Sequence, residues 1–444
     1  MSADMELDDI QGGALHPLPT PYTGVFDLLR IDDPQAGREL LGRVLPALRS
    51  AADPTSPSAD AWLSIALSFS GLQALGVAQD SLDSFAPEFR EGMAARAQRL
   101  QDVGESAPEH WERPFGSDQV HVALSAMAPD QGRLDALLRQ ADDVLAGLPG
   151  VVRNYRQTCR SSDGHEAFGF RDNLSQPAVE GSGIPGSNPK EEPLRAGEFI
   201  LGYPNETGRL PPMPAPGVLG RNGTYLAVRK LQQRVPAFNR YLRATADDPD
   251  DEELLAAKMM GRWRSGAPLV LSPDRDDPAL GADPLRNNAF GFRTEGDERG
   301  FRCPLGSHTR RMNPRDGQIF GNPRSHRLVR REASYGAPLP TGVPEEDGVD
   351  RGMIFACVNA SLRRQFEFVQ EEWVNSGIFI GHNEERDPLC GANGGSGVFT
   401  IPERPIRRRL QHLPTFVVTR GGEYFFMPGL TALRWLAAPP AGQA

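Results

Sequence analysis

Between residues 20 and 160 the chain alternates apolar runs of strand period with stretches of helical period, in the order strand, helix, strand, strand, helix, strand. The strands are TGVFDLLRI at 23–31, AWLSIALSFS at 61–70, QVHVALSAMA at 119–128 and a last run at 151–158. Leu40, Leu41, Val44, Leu45 and Leu48 give the first helix, entered through Asp33 before Pro34, a good N-cap and first-turn pair. Leu134, Leu137, Leu138, Val144 and Leu145 give the second, over 129–147, and a further helical region spans about 86–101. A βαββαβ unit closes most simply as antiparallel strands with both helices on one face, the ferredoxin-like arrangement.

The second half repeats this order loosely. A strand at 223–231, helices near 235–246 and 250–264, strands at 326–332 and 352–358, a helix at 360–374 and a final pair of strands around 415–427 form a second βαββαβ, with 265–325 as a large insertion. The expected fold class is therefore α+β, with two ferredoxin-like units, residues 1–222 and 223–444. A length of 444 residues suits two cores better than one. Many of the 47 glycines and 40 prolines fall between 175 and 222 and around 264–350, which predicts long structured loops there.

A net charge of −10 disfavours duplex DNA or an anionic membrane as the main partner. An oligomer is compatible with the sequence. The acidic start MSADMELDDIQGG is unlike a basic signal peptide, and no apolar run approaches the roughly 18 residues of a membrane span. Cys159, Cys303, Cys357 and Cys390 are far apart and form no CxxC pair, so reduced thiols and a cytoplasmic location are expected.

The eight histidines show no metal-ligand spacing with each other or with cysteine. His308 stands out. It sits in Cys303-Pro-Leu-Gly-Ser-His308-Thr-Arg310-Arg311-Met-Asn313-Pro314-Arg315-Asp316, between small residues and a block of arginines. A structural histidine and a ligand are about equally good readings on local grounds. A lone imidazole as the protein's ligand suggests iron held mainly by a porphyrin, with guanidinium groups on its carboxylates. Arg310 and Arg315 are the candidates for that pairing, and surface solvation is the alternative for each. Cys303 is set aside as a rival ligand because its spacing is wrong for a thiolate loop.

Two further stretches bear on chemistry. In His165-Glu-Ala-Phe168-Gly169-Phe170-Arg171-Asp172-Asn173, a carboxylate held in a tight loop beside aromatics suits proton transfer, although an Asp capping a turn is the plainer reading. In Leu328-Val-Arg330-Arg331-Glu332-Ala-Ser-Tyr335-Gly336, strand alternation turns Arg330 and Leu328 to one face and Arg331 to the other.

Together these stretches resemble the dye-decolorizing peroxidases. Gly169-Phe-Arg-Asp172-Asn173 is similar to the family's GxxDG signature, CPLGSHTRRMNPRD to its proximal-histidine segment, and LVRREASYG to its distal-arginine strand. Asp9-Ile10-Gln11-Gly12 and Arg420-Gly421-Gly422-Glu423-Tyr424-Phe425-Phe426-Met427-Pro428 extend the likeness nearly end to end. The resemblance implies a haem b peroxidase that reduces hydrogen peroxide and oxidises small organic donors such as dyes or phenols by way of compound I. The haem would be held mainly by the second unit. His308 would be the iron ligand, Asp172 the distal acid and base, Arg330 the distal arginine, and Asp387 the acid behind the imidazole, with Glu367 as the fallback. Trp263, Tyr335, Trp373 and Tyr424 are possible electron carriers, though core packing is the commoner role of such residues. A haem-binding or delivery protein and a dedicated biosynthetic haem enzyme are the competing readings. Asn173 departs from the usual glycine; Asn also tolerates positive φ, but its side chain could narrow the pocket or shift Asp172.

Overall fold

The computed structural model describes residues 4–53, 61–317, 319 and 321–438; the first three residues of the acidic start lie outside this set. In the first half, β1 (Tyr22–Ile31) leads to α1 (Pro34–Val44), whose N-cap Asp33 accepts hydrogen bonds from the Gln35 and Ala36 amides. The strand β2 (Trp62–Leu67) stops earlier than its apolar run, because Ser68 caps a short helix over Phe69–Ala74 by accepting from the Gly71 amide. The helix expected over 86–101 is broken into short turns, with Gly92 at a φ of 75° ending the first of them. β3 (Val122–Ala128), α2 (Gln131–Ala146) and β4 (Val151–Ser161) complete the unit. The strand order is β4-β1-β3-β2, all antiparallel, and α1 packs on α2.

The second half follows the same order. β5 (Thr224–Gln233) is followed by α3 (Val235–Thr245) and α4 (Pro249–Met260), then, within the insertion, by α5 (His308–Met312). The strand expected at 326–332 is only the two residues of β6 (Val329–Arg330), because Pro323–His326 winds into a 3-10 turn; β7 (Ala333–Tyr335) continues the edge. β8 (Gly352–Asn359) pairs with both. The helix expected at 360–374 begins only at Phe366, since the Gln365 side chain folds back to the Ser361 amide, and it widens into a π-helical turn over Val369–Val374. Leu362, Phe366, Val369 and Trp373 are nevertheless all buried. A separate hairpin, β9 (Gly397–Ile401) and β10 (Arg408–Leu413), precedes β11 (Val417–Met427), a single long strand where two were expected, and α6 (Leu430–Ala437) closes the chain.

The four strands of the first unit and five of the second (β5, β6, β7, β8 and β11) share one nine-stranded sheet, joined where Phe426 of β11 pairs with Leu67 of β2. At the far edges β4 lies beside β7, and the Ser334 amide donates to the Tyr22 hydroxyl at 2.7 Å, so the sheet curves back on itself. Curvature explains why β1 and β2 are buried almost throughout instead of alternating: helices cover one face and the rolled interior the other. Glu367, fully buried, is held by Arg96 and by the Tyr424 hydroxyl at 3.0 Å. No helix among the described residues is long and apolar enough to cross a membrane.

Candidate active site

His308 is the first residue of α5, and its backbone is fixed from both sides. Ser307 donates from Oγ to the Lys258 carbonyl of α4 at 2.5 Å. Gly261, just past α4, has a φ of 95°, and a Cβ there would meet Thr309 Oγ1 at 2.2 Å, so only glycine lets α5 approach this closely. The imidazole Nδ1 lies 2.9 Å from Asp387 Oδ2. Asp387 is fully buried, and its other oxygen accepts from the Leu389 and Cys390 amides at 2.9 and 3.0 Å. Burial opposes the charge on Asp387, but the His308 ring, the hydrogen bond to it and Arg311 hold the carboxyl down at about 2. With Nδ1 engaged, Nε2 is the nitrogen left for a ligand. Glu367, the fallback acid, is committed to Arg96 and Tyr424 instead.

His308 lines a cavity of about 550 Å³, within the usual range for sites that enclose a sizeable organic group. Asp172 and Arg330 line the same cavity, as do Phe290, Phe292, Phe366 and Leu389. The Asp172 loop is built on Glu166, whose carboxylate accepts from the Phe168 and Phe170 amides at 3.0 and 2.9 Å. Asn173 adopts a φ of 58°, the left-handed conformation the turn demands. Its Oδ1 accepts from Gln176 Nε2 at 2.8 Å, and Gln176 in turn bonds the Arg330 amide at 3.1 Å and the Arg330 carbonyl at 3.3 Å. The departure from glycine thus adds a clamp between the Asp172 loop and β6. Arg330 Nη1 stands 4.0 Å from Asp172 Oδ1, and Arg331 points away to the Gly13 and Ala14 carbonyls, as strand alternation requires.

The arginines divide differently from the expectation. Arg315 lines the cavity, lies over the Phe290 ring at 3.8 Å and donates to the Asn288 and Phe290 carbonyls. Arg310 does not line it. Its guanidinium is buried against Asp297 Oδ2 at 3.1 Å, the Cys303 carbonyl at 2.7 Å and the Phe292 face at 4.1 Å, so its expected place on a cofactor carboxylate is corrected to a structural one. Arg311, also buried, binds the carbonyls of Gly306, Trp373 and Ser376. Arg262 and Arg327, which the sequence did not single out, join Arg315 on the cavity wall. Burial lowers Arg315 to about 9, with Arg262 and Arg327 adding repulsion, and burial lowers Arg262 to about 10. Arg262 and Arg315 hydrogen-bond to carbonyl oxygens, which leave their charge unneutralised; such a cluster suits an anionic ligand.

One side of the cavity therefore offers an oriented imidazole nitrogen, and its wall adds aromatic surface, a cationic cluster and a carboxylate beside an arginine. This donor set fits a porphyrin iron: a single nitrogen ligand, apolar walls for the ring and guanidinium groups for its carboxylates.

Comparison with known proteins agrees. Residues 9–161 match the family model of the DyP dimeric alpha+beta barrel domain. The chain is 30% identical to the dye-decolorizing peroxidase msp1 of Mycetinis scorodonius over 98% of this chain and 88% of that one. It is 31% identical to a dye-decolorizing peroxidase of Exidia glandulosa over 97% and 87% of the two chains. The crystal structure of a fungal DyP-type peroxidase from Auricularia auricula-judae superposes with a TM-score of 0.85 at 28% identity, covering 98% of this chain and all of that one.

Proposed function

The chain belongs to the dye-decolorizing peroxidase family, and from that premise we propose how its own residues divide the work. It is a haem peroxidase that reduces hydrogen peroxide and oxidises organic donors. Haem b is the proposed form, and when bound it supplies the iron at which peroxide is reduced.

His308 Nε2 is the proposed iron ligand. Asp387 takes the Nδ1 hydrogen bond, which fixes the tautomer and ring plane and makes the imidazole a stronger electron donor. Arg315, with Arg262 and Arg327, faces the propionates. Asp172 accepts a proton from hydrogen peroxide at a carboxylate oxygen and returns it to the departing oxygen, so that water leaves; Arg330 stabilises the negative charge that develops as the O–O bond breaks. The second unit, 223–444, supplies the haem contacts named here and Arg330, and the first, 1–222, supplies Asp172. One solved relative is described in complex with 2,6-dimethoxyphenol, which supports small phenols as donors for this chain as well. Four free cysteines support a reducing compartment such as the cytoplasm.

The observation that carries this assignment is His308, held by Asp387 at 2.9 Å, lining the same cavity as Asp172 and Arg330. The test is His308→Ala. The variant is expected to fold yet purify with little or no haem, seen as loss of the Soret band relative to protein absorbance; full haem content with an unchanged spectrum would overturn the assignment.

A further inference from the structure

Glu332 lies two residues beyond Arg330, and both side chains reach the cavity. It has no role in the division of work above. Its side chain is 4% exposed, and among the described residues neither carboxyl oxygen has a hydrogen-bond partner. Arg330 Nη1 is 3.0 Å from Glu332 Oε1, closer than the 4.0 Å that separates it from Asp172 Oδ1. One guanidinium is therefore flanked by two carboxyls. Both cannot be ionised cheaply in a buried place with a single cation between them.

The surroundings favour the neutral form of Glu332. Burial pushes its carboxyl up to about 7; Arg330 pulls it down and Asp172 raises it again. From β8 the Cys357 thiol faces it, driven up to about 12 by burial and so uncharged. Arg331, the adjacent residue, spends its hydrogen bonds on Gly13, Ala14 and the Arg330 carbonyl. On the Asp172 side, Tyr22 of β1 is raised by burial and stays neutral, and Glu166, also buried, is raised to about 6.

We propose that Glu332 is a proton-holding partner of Asp172: the two carboxyls keep one proton between them, and that proton is available to an anionic or acidic ligand entering the pocket. Glu332 is then a positioning residue that acts through Asp172 and Arg330. When it is neutral, Arg330 is released toward Asp172 and the ligand; when it is ionised, it holds Arg330 back. An anion such as fluoride that binds in the pocket accepts a hydrogen bond from the shared proton, with no other change of bonding. The inference rests on the haem-peroxidase reading of the same cavity.

Fluoride titration of the ferric holoenzyme, followed by its absorption spectrum between about pH 5 and pH 8, tests it in the wild type and in Glu332→Gln. Wild-type affinity is expected to stay level up to near pH 7 and then fall about tenfold per pH unit. In Glu332→Gln, which has lost the proton-holding partner, the fall near pH 7 is expected to disappear from the profile. Superimposable profiles would overturn the proposal. Infrared difference spectra across the same range give a readout that needs no haem. The wild type should show a protonated carboxyl band that titrates near neutrality and shifts to lower pH in Asp172→Asn; a band that Asp172→Asn leaves unmoved contradicts a shared proton. Protein that takes up no haem would count against the peroxidase reading instead, while the infrared band still decides the role of Glu332.

Discussion

His308 Nδ1 lies 2.9 Å from Asp387 Oδ2, and the Asp387 carboxylate is fully buried with its second oxygen on two backbone amides. The carboxylate therefore cannot turn away from the ring. Replacing Asp387 by Asn keeps the shape but removes the charge behind the imidazole. Asp387→Asn is expected to retain haem and to lose about 10- to 100-fold in peroxidase rate, measured by steady-state oxidation of a phenol. An unchanged rate would show that the pair is structural only.

The same carboxylate gives a pH signature. Its folded-state value of about 2 lies below the ordinary 3.8, so the stability it contributes is present above about pH 4 and is lost as pH falls through 2. The contribution is on the order of 2 kcal/mol. Urea unfolding at pH 5 and again near pH 2.5 should show a larger loss in the wild type than in Asp387→Asn.

Asp172 and Arg330 share a cavity, are separated by 4.0 Å, and have different tasks. Asp172→Asn is expected to keep haem but to react with peroxide about 10²- to 10⁴-fold more slowly, the usual size of a lost general base. Arg330→Leu removes a charge-stabilising donor and should slow the same step by about 10²- to 10³-fold. Stopped-flow mixing of each variant with peroxide measures both.

Asn173 holds a φ of 58° and ties Gln176 to both backbone groups of Arg330. Asn173→Ala loses the tie and places a side chain without Asn's local hydrogen bonding in the left-handed region. It should cost about 1–2 kcal/mol in chemical denaturation. Asn173→Gly, free of the backbone strain, should recover roughly half of that cost.

Periodicity located the longer strands of the sheet because they carry enough apolar residues to be read locally, and Asp33 announces its helix by capping it. It overran where one residue ends an element: Ser68 after β2 and Gln365 before the π-helical turn through a side-chain hydrogen bond, Gly92 inside the expected helix through its positive φ. At the site, Asp172, His308, Arg330 and Asp387 were legible as short motifs, and the fold gathers the first three around one cavity with Asp387 directly behind His308. Which arginine of a block faces a ligand was not legible. Arg310 is turned by Asp297, and Arg262 reaches the cavity from the end of α4, contacts set by tertiary structure alone. Glu332 could have been found, since alternation along the strand expected at 326–332 puts it on the same face as Arg330.

In the proposed site His308, backed by Asp387, holds an iron porphyrin facing Asp172 and Arg330. Rapid mixing of the haem-loaded protein with one equivalent of hydrogen peroxide tests it most directly. The ferric Soret band is expected to shift at once and to return when a phenol is added. A Soret band that peroxide leaves unmoved would contradict it.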